Sequence, residues 1–354
     1  MERMTEIGKF SPEMFERFIL PKLGAKDEAV TVGPKNGIDC GIVELGEYAL
    51  SFTTDPVFIV PEYGWERAAW FALHIIASDS VTSGLRPRFL SIDLNLPMTM
   101  TEQQFEIMWD TIHSECLKLG IAVVTGHTGR YQNCDYPMVG GATLVGVGER
   151  HQYVTPAFIS PGDDIIITKG PAIEATGILA TMFPEPIEQE FGTHFARKAG
   201  QIFYKMSVVQ DALTAVSLGV RADGITAMHD ATEYGVWGGI YEMAQAAGLG
   251  TRVYKNRIVV EECVLEICSY FGIDPYSSIS EGTLIIACKK HKSSAVVTEL
   301  RRKGIKCSIA GEFTSPEQGL VLVDDGREVA LQHPGVDPFW KAFYQALEYK
   351  ANIT

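Results

Sequence analysis

Long apolar segments are missing from this sequence. No run approaches the roughly 20 residues that a membrane-spanning helix needs. The first residues, Met1-Glu-Arg-Met-Thr-Glu, lack the apolar stretch of a signal peptide. We therefore expect a cytoplasmic protein that does not contact a membrane.

An excess of basic residues is also missing. The chain has 30 Lys and Arg against 44 Asp and Glu, for a formal net charge of −14. General nucleic-acid binding needs a basic surface that neutralises phosphates, so we expect no nucleic-acid partner. A nucleotide ligand stays possible, because a metal ion can supply positive charge locally.

Paired cysteines are missing as well. The chain has seven cysteines but no CxxC pair, which argues against a structural zinc site. Several lie within apolar stretches, namely Cys116, Cys268 and Cys288. We interpret most of the cysteines as small buried hydrophobic side chains.

The common nucleotide and hydrolase motifs do not occur. The sequence contains no G-x-x-x-x-G-K-[ST], no G-x-G-x-x-G that opens a helix after a strand, no G-x-S-x-G and no H-E-x-x-H. Any phosphate site must therefore be built in another way.

The length of 354 residues predicts two domains, since it exceeds the usual size of one core. Strand-like and helix-like segments alternate, but without strict βαβ order, so we predict an α+β or mixed α/β fold rather than a Rossmann layout. Turn residues "SPGDD" break the pattern at 160–164. We predict an N-terminal domain over 1–157 and a C-terminal domain over 158–354.

Hydrophobic periodicity predicts the individual elements. Thr101 and Gln104 form a candidate capping box, and Gly120 ends the helix that they begin. Strands are predicted at 48–54, 89–96, 121–125 (short and buried), 140–147, 165–168, 283–288, 307–313 and 320–323. Helices are predicted at 65–76, 101–119, 172–182, 195–218, 236–247, 261–271, 293–303 and 338–354.

Acids stand beside small polar residues near the ends of several predicted elements. Asp39 lies in "GIDCGIV", Asp55 in "SFTTDPVF" and Asp79 in "IIASDSVTSG", while "VVTGHTGRY" has the same layout with His127. Each Asp alone is typical of a turn or a helix cap. Convergent aspartates would instead suit Mg²⁺, which prefers oxygen ligands and leaves room for phosphate oxygens. Spacing alone does not decide between the two.

These stretches, in this order, resemble a superfamily. Its members are aminoimidazole ribonucleotide (AIR) synthetase, the hydrogenase maturation protein HypE, thiamine monophosphate kinase and selenophosphate synthetase. In the second half, "ITKGPAIEATGILA", "AMHDATEYGVWGGIYEMAQAAGLG" and "GIDPYSSISEGTLIIA" resemble the corresponding segments of HypE-like proteins. The resemblance covers nearly the whole chain from Gly8 to Thr314. Each motif is weak alone, whereas the ordered set is specific.

The resemblance implies a fold, ligands and site residues. It implies a homodimer whose N-terminal domains pair through strands, with ATP between the two domains of each chain. Its Mg²⁺ ligands correspond to Asp39, Asp55 and Asp79. Nucleotide contacts are expected from Thr53, Thr54, Ser78, Gly126, Thr128, Lys169 and Gly170, and catalytic roles from His127, Asp230 and Glu281. For Lys169 the alternative is a surface lysine at the end of a strand, and for His127 the alternatives are a phosphate contact, a general base or a histidine in a turn.

Four departures separate this chain from its relatives. His127 stands where most members have an acid. Glu233 and Tyr234 replace the Arg and Gly of HypE, which reverses a charge near the expected substrate. No cysteine follows Cys307, so we expect that HypE's reaction on its own C-terminal cysteine does not occur here. Cys40 replaces an alanine, and we favour packing over catalysis for it.

We expect an ATP- and Mg²⁺-dependent enzyme that activates a carbonyl, amide or phosphate oxygen by phosphoryl transfer. The sequence does not name its substrate. A kinase of a small phosphorylated metabolite, as in thiamine monophosphate kinase, is one alternative. A nucleotide-binding scaffold without turnover is another. ATP turnover distinguishes the scaffold from the enzymes, and the product distinguishes the enzymes from each other.

Overall fold

The structure is a computed structural model that describes residues 12–351. Gly8, where the sequence resemblance begins, and the last residues of the predicted 338–354 helix lie outside this range. The strands are β1 Val30–Val32, β2 Gly41–Leu45, β3 Tyr48–Phe58, β4 Arg86–Pro97, β5 Ala122–Tyr131, β6 Met138–Glu149, β7 Asp164–Thr168, β8 Ile225–Ala231, β9 Gly250–Tyr254, β10 Thr283–Cys288, β11 Cys307–Thr314, β12 Leu320–Asp324 and β13 Arg327–Ala330. The α-helices are α1 Pro12–Phe18, α2 Trp65–Thr82, α3 Glu102–Leu119, α4 Ile173–Met182, α5 Pro184–Phe191, α6 Thr193–Gly200, α7 Val209–Val216, α8 Gly235–Ala247, α9 Glu262–Tyr270, α10 Lys290–Arg302 and α11 Pro338–Ala351.

The first half forms a six-stranded sheet in the order β1-β2-β3-β6-β4-β5. Its strand pairs are antiparallel except β4 and β5, which are parallel and joined through α3. Helix α2 is rich in alanine, and its buried side chains include Ala68, Ala72 and Ala77. Small side chains let this helix lie close to the sheet, so α2 holds its polar residues near β3.

The second half forms a seven-stranded sheet in the order β13-β12-β9-β11-β7-β10-β8. Strands β7, β8 and β10 are buried along their whole length. The two domains share one continuous apolar cluster. Within it the rings of Phe71 and Phe203, one from each half, lie 5.7 Å apart. The two-domain mixed α/β prediction is confirmed. The predicted boundary between residues 157 and 158 lies in the connection between β6 and β7, and it stays a prediction.

The capping box at the start of α3 has the predicted form. The Thr101 hydroxyl accepts the Gln104 backbone N–H at 3.3 Å, and the Gln104 side chain accepts the Thr101 backbone N–H at 2.8 Å. Gly120 follows with φ of 74°, a left-handed conformation that favours glycine. Local sequence therefore determines both ends of this helix.

Three element predictions are wrong. Strand β3 does not end before Asp55; it continues to Phe58, with Pro56 accommodated by a register shift against β6. Strand β5 is neither short nor buried, because it forms an exposed edge over Ala122–Tyr131. The predicted long helix at 195–218 is broken into α6, a 3-10 segment at Gln201–Lys205, and α7.

Candidate active site between the two domains

The inner face of β3 and the end of α2 bring the first pair of acids together. Asp55 lies on the same face of β3 as the buried Thr53, in line with the alternation of a strand. The Thr53 hydroxyl donates to Asp79 Oδ2 at 3.1 Å. Helix α2 runs to Thr82, beyond its predicted end, so Asp79 lies within the helix. A helix end and a central strand therefore hold two carboxylates side by side.

The second domain adds further acids to this region. Asp230 near the end of β8 is 1% exposed, and Glu281 just before β10 is 2% exposed. Glu174 at the start of α4 accepts the Glu281 backbone N–H at 3.0 Å. Carboxylates from both domains thus converge in a buried cleft.

Burial and mutual repulsion disfavour ionisation of these acids. The pKa of Asp79 is raised well above its usual value by burial and by the nearby carboxylates of Asp230, Asp55 and Asp39. Burial, Asp230 and Glu174 raise the pKa of Glu281 in the same way. Clustered buried acids with raised pKa values are a frequent mark of a functional site.

Asp39 reaches the cleft from the loop before β2 and meets a histidine. His229 Nδ1 lies 2.8 Å from Asp39 Oδ1 and 3.0 Å from Oδ2. Its Nε2 lies 3.2 Å from Glu242 Oε2 on α8. Burial alone would lower the pKa of His229, but Asp39 and Glu242 outweigh burial and raise it well above its usual value.

The acids fit a bound cation. Within residues 12–351, Asp55 Oδ2 and Glu281 Oε2 are buried side-chain oxygens without a hydrogen-bond partner. Buried polar atoms of this kind are costly unless something satisfies them. Carboxylate oxygens are suitable ligands for Mg²⁺.

Ser78 and Cys40 lie next to the acids, and each side chain hydrogen-bonds to a backbone group of the protein. The Ser78 hydroxyl accepts the Val208 backbone N–H at 3.1 Å, which links α2 to the second domain. The Cys40 thiol is buried and donates to the Asp79 carbonyl at 3.0 Å. Burial, together with Asp39 and Asp79, raises the pKa of this thiol well above its usual value, so Cys40 stays protonated. This agrees with the packing role expected for Cys40.

Lys169 and Gly170 follow β7 and are engaged within the protein. Lys169 is buried, and its Nζ donates to Asp211 Oδ1 and to the Ser207 carbonyl, each at 2.8 Å. Gly170 has φ of 88°, and a Cβ there would lie 2.0 Å from the Val259 carbonyl oxygen. Glycine is therefore needed for close backbone approach. Both nucleotide contacts stay predictions.

The predicted residues of β5 do not join the acids within one chain. Gly126 pairs with Ile92 and His127 with Asp93, so successive residues point to opposite faces of the sheet. His127 is exposed, and its Nε2 lies 2.6 Å from the Tyr131 hydroxyl. Thr128 is exposed on the same edge strand.

Thr54 also lies outside the acid cluster. It is exposed on the opposite face of β3 from Asp55, and its hydroxyl lies 2.9 Å from that of Thr143 on β6. The structure thus separates neighbouring residues of the "TTD" motif, and only Thr53 and Asp55 face the cleft.

Sequence reasoning missed His229, Glu174 and Glu242. His229 directly precedes Asp230 within the segment already identified, and Glu174 lies within "PAIEATG". All three residues lie in segments that resemble HypE-like proteins, and this location was the signal that could have found them. Their contacts with Asp39 and Glu281 depend on how the two domains pack, which periodicity does not describe.

The fold and the site define a class: a two-domain α/β protein whose carboxylates meet between the domains. Two models described as AIR synthase related protein match the chain, the N-terminal domain over residues 37–148 and the C-terminal domain over 160–324. The chain belongs to this family.

Several proteins of known name are similar in sequence. A putative hydrogenase expression/formation protein of Methanocaldococcus jannaschii is 23% identical over 319 residues, which cover 89% of this chain and 91% of that protein. Carbamoyl dehydratase HypE of Escherichia coli K12 is 26% identical, with 71% of each chain covered. Selenide, water dikinase of Nitratidesulfovibrio vulgaris (strain DP4) is 26% identical over 73% of this chain and 71% of that protein.

Solved structures share the fold. The crystal structure of E. coli HypE has a TM-score of 0.67 at 22% identity and covers 82% of this chain and 87% of that one. HypE in complex with ATP gives 0.64 at 21%, covering 92% and 93%. A ThiL structure complexed with AMPPCP and TMP gives 0.64 at 19%, covering 83% and 89%. Among the described residues, no helix has the length and apolar character to span a membrane.

Proposed function

We propose that this protein is an ATP- and Mg²⁺-dependent enzyme that activates a carbonyl, amide or phosphate oxygen by phosphoryl transfer. The observation that carries the proposal is the convergence of buried carboxylates from both domains, with oxygens of Asp55 and Glu281 left unsatisfied. Relatives named as a carbamoyl dehydratase and a selenide, water dikinase, and the ATP complex of HypE, support it.

Each residue has a proposed part. Asp39, Asp55 and Asp79 would hold Mg²⁺, and Asp230 and Glu281 would complete the site from the second domain. When bound, Mg²⁺ would neutralise phosphate charge, which the acidic chain does not do by itself. The chain's own contribution is to position the reacting groups and to exclude water from the cleft.

The loop at 34–39, which carries Asp39, packs against the second domain. The Lys35 ammonium donates to the Ala246 carbonyl at 2.9 Å, and a Cβ at Gly37 would lie 2.6 Å from the Glu242 carbonyl oxygen. This loop therefore lies directly against α8. A cavity of about 690 Å³ is lined by other residues, among them Glu44, Tyr48, Arg150 and Arg221, and by none of the converging acids. We place the nucleotide between the domains and not in that cavity.

Magnesium-dependent release of ADP from ATP tests the proposal, with wild type compared with Asp230→Asn and Asp93→Asn. Asp93 is an exposed acid on the outer face of the first sheet and serves as the matched control. We expect turnover in wild type and in the Asp93 variant, and a loss of 100-fold or more in the Asp230 variant, as when a single charge-stabilising group is removed. Equal rates in all three proteins would show that Asp230 takes no part in the reaction. No turnover with any offered acceptor would leave the scaffold alternative.

The kinase alternative has one specific observation in its favour. The ThiL complex with AMPPCP and TMP matches this fold with the same TM-score, 0.64, as the ATP complex of HypE. The fold therefore does not discriminate between a kinase and an enzyme with HypE-type activation chemistry. Product analysis does: a stable phosphorylated small molecule indicates the kinase, whereas ADP and phosphate with a displaced product indicate activation chemistry.

We also propose a homodimer through the first sheet. Within residues 12–351, strand β5 has no partner on its outer side, and large apolar side chains are exposed on this sheet, including Tyr48, Phe52, Val124 and Met138. Unpaired edges and exposed apolar surfaces favour association. Light scattering of Val124→Lys compared with wild type tests this, because a charge on the edge would give monomers. An unchanged mass would place the interface elsewhere.

A further inference from the structure

The cavity of about 690 Å³ is built by both halves of the chain. Its lining comes from the ends of β2 and β6, the start of β3, the connection after β6, and Arg221, which precedes β8. Its volume is in the range of sites that bind small metabolites. The proposed phosphoryl-transfer reaction gives this cavity no role.

The guanidinium of Arg221 is held in the wall of this cavity. It lies 4.5 Å from the ring centroid of Tyr153 and 4.4 Å from that of Phe158. Its Nε donates to the Tyr153 carbonyl at 3.0 Å, and its Nη2 donates to the Arg150 carbonyl at 3.1 Å. The Arg221 backbone has φ of 55°, a left-handed conformation that is costly for a residue with a side chain. A group fixed in this way loses little further freedom when a ligand binds.

One edge of the same guanidinium is left for a ligand. Nε and Nη2 share the edge that donates to the two carbonyls, so an N–H of each terminal nitrogen remains at the other edge. Arg150 pairs with Glu44, whereas no carboxylate among residues 12–351 forms an ion pair with Arg221. The geometry of a guanidinium edge matches a carboxylate or a phosphate. Arg221 therefore suits the anionic group of a ligand.

Negative charge lines the same cavity. Glu44 is already paired with Arg150, but Glu47 and Glu149 are exposed and also line the cavity. Glu149 Oε2 lies 3.5 Å from His151 Nε2, an ion pair that exists only when this histidine is protonated. These two carboxylates repel a simple anion and attract an ammonium group. The cavity therefore suits a ligand that carries both charges.

We propose that this cavity binds a small zwitterionic metabolite, either an α-amino acid or a phosphorylated amine. The free edge of Arg221 would bind its carboxylate or phosphate, and Glu47 and Glu149 would face its ammonium group. Such a ligand would contact both halves of the chain and would stabilise the folded protein by mass action. This site goes beyond the proposed function and does not depend on it.

The test uses the full chain without ATP or added metal. Calorimetric titration with each standard L-α-amino acid offers the carboxylate, and O-phosphoethanolamine and O-phosphoserine offer the phosphate. Inorganic phosphate and ethanolamine each offer one charge alone. We expect a zwitterion of one of the two kinds to bind with a Kd below about 1 mM, and the single-charge probes to bind about tenfold or more weakly. The kind that binds identifies the anionic group.

A conservative substitution locates the binding. We expect Arg221→Lys to bind that zwitterion about tenfold or more weakly, because lysine keeps the charge but lacks the planar fork. Arg257→Lys is the matched control and keeps wild-type affinity. Arg257 is exposed, lies 3.8 Å from the ring centroid of Tyr254 and does not line the cavity.

Three results would overturn the proposal. One is no binding of any zwitterion to wild type at about 10 mM, and this arm needs no substitution, so a variant that fails to fold does not leave the proposal open. Another is inorganic phosphate that binds as tightly as the zwitterions. The third is wild-type affinity in a folded Arg221→Lys, which would place the ligand elsewhere. Absence of ATP turnover with zwitterion binding intact would contradict only the proposed enzyme activity.

Discussion

Two strands of the first sheet carry similar polar motifs in very different surroundings. Strand β3 has Thr53-Thr-Asp55 and lies between β2 and β6, whereas β5 has Gly126-His127-Thr128 and forms the edge. Asp55 faces α2 and the second domain. His127 faces solvent and contacts Tyr131. The order of strands in the sheet, which the motifs do not encode, decides which polar group enters the cleft.

The difference is also energetic. Burial and neighbouring acids raise the pKa of Asp79 beside Asp55, so the cluster opposes its own ionisation. His127, by contrast, lies exposed on an edge strand. A group of residues that destabilises the protein without a ligand is typical of a binding site, where stability and function trade against each other.

Lys169 sharpens the comparison. It is a buried residue that directly follows strand β7, and its ammonium already has a carboxylate partner in Asp211. Asp211→Ala leaves the Lys169 ammonium buried without its carboxylate partner. We expect a loss of about 3–5 kcal/mol in the free energy of unfolding, measured by urea denaturation. The double variant Lys169→Met, Asp211→Leu should recover most of this loss. If it also loses nucleotide affinity, Lys169 is a nucleotide contact rather than a structural residue.

Asp337, which directly precedes α11, extends the comparison to a buried acid whose carboxylate accepts a backbone N–H at the start of α8. Its Oδ2 accepts the Tyr234 backbone N–H at 2.8 Å, and burial raises its pKa to about 6. For an acid whose pKa is raised on folding, the stability contribution is complete below the unfolded pKa near 3.8 and is lost as pH rises through 6. We expect wild type to lose about 2 kcal/mol from this group between pH 4 and pH 7.5. Asp337→Asn should show a correspondingly smaller pH dependence of its unfolding free energy, and an unchanged dependence would contradict the assignment.

Asp79→Asn tests whether the buried acids repel one another. An amide cannot ionise, so it avoids the cost of ionising a buried acid beside other carboxylates, while its oxygen can still accept the Thr53 hydroxyl. We expect the metal-free variant to gain about 1 kcal/mol in unfolding free energy at pH 7.5 and to lose its stabilisation by divalent cations. Thermal unfolding with and without Mg²⁺ measures both. A marked loss of stability without metal would make Asp79 a structural acid.

His127→Ala should have the smallest effect. His127 is exposed and hydrogen-bonds to Tyr131, so its removal should change the unfolding free energy by less than about 0.5 kcal/mol. We also expect unchanged cation binding in a monomeric form of the chain. Weaker nucleotide binding only in the dimer would mean that His127 acts across an interface.

The sequence predicted the fold class and most elements, and it singled out the acids of the candidate site, whose roles stay predictions. Local signals sufficed where structure is local, as in the capping box of Thr101 and Gln104. They failed for β5, because an apolar strand looks the same at an edge and in a core until the sheet order is known. They also failed for His229, whose contact with Asp39 joins residues 190 positions apart.

The most direct test is calorimetric titration with a non-hydrolysable ATP analogue, with and without Mg²⁺. Wild type, Asp55→Asn and the control Asp93→Asn would be compared, since both acids lie on the first sheet but on opposite faces. Magnesium-dependent binding in wild type and Asp93→Asn, lost in Asp55→Asn, is the predicted result. Absence of binding to wild type, or equal binding by all three proteins, would contradict a nucleotide site at the converged acids.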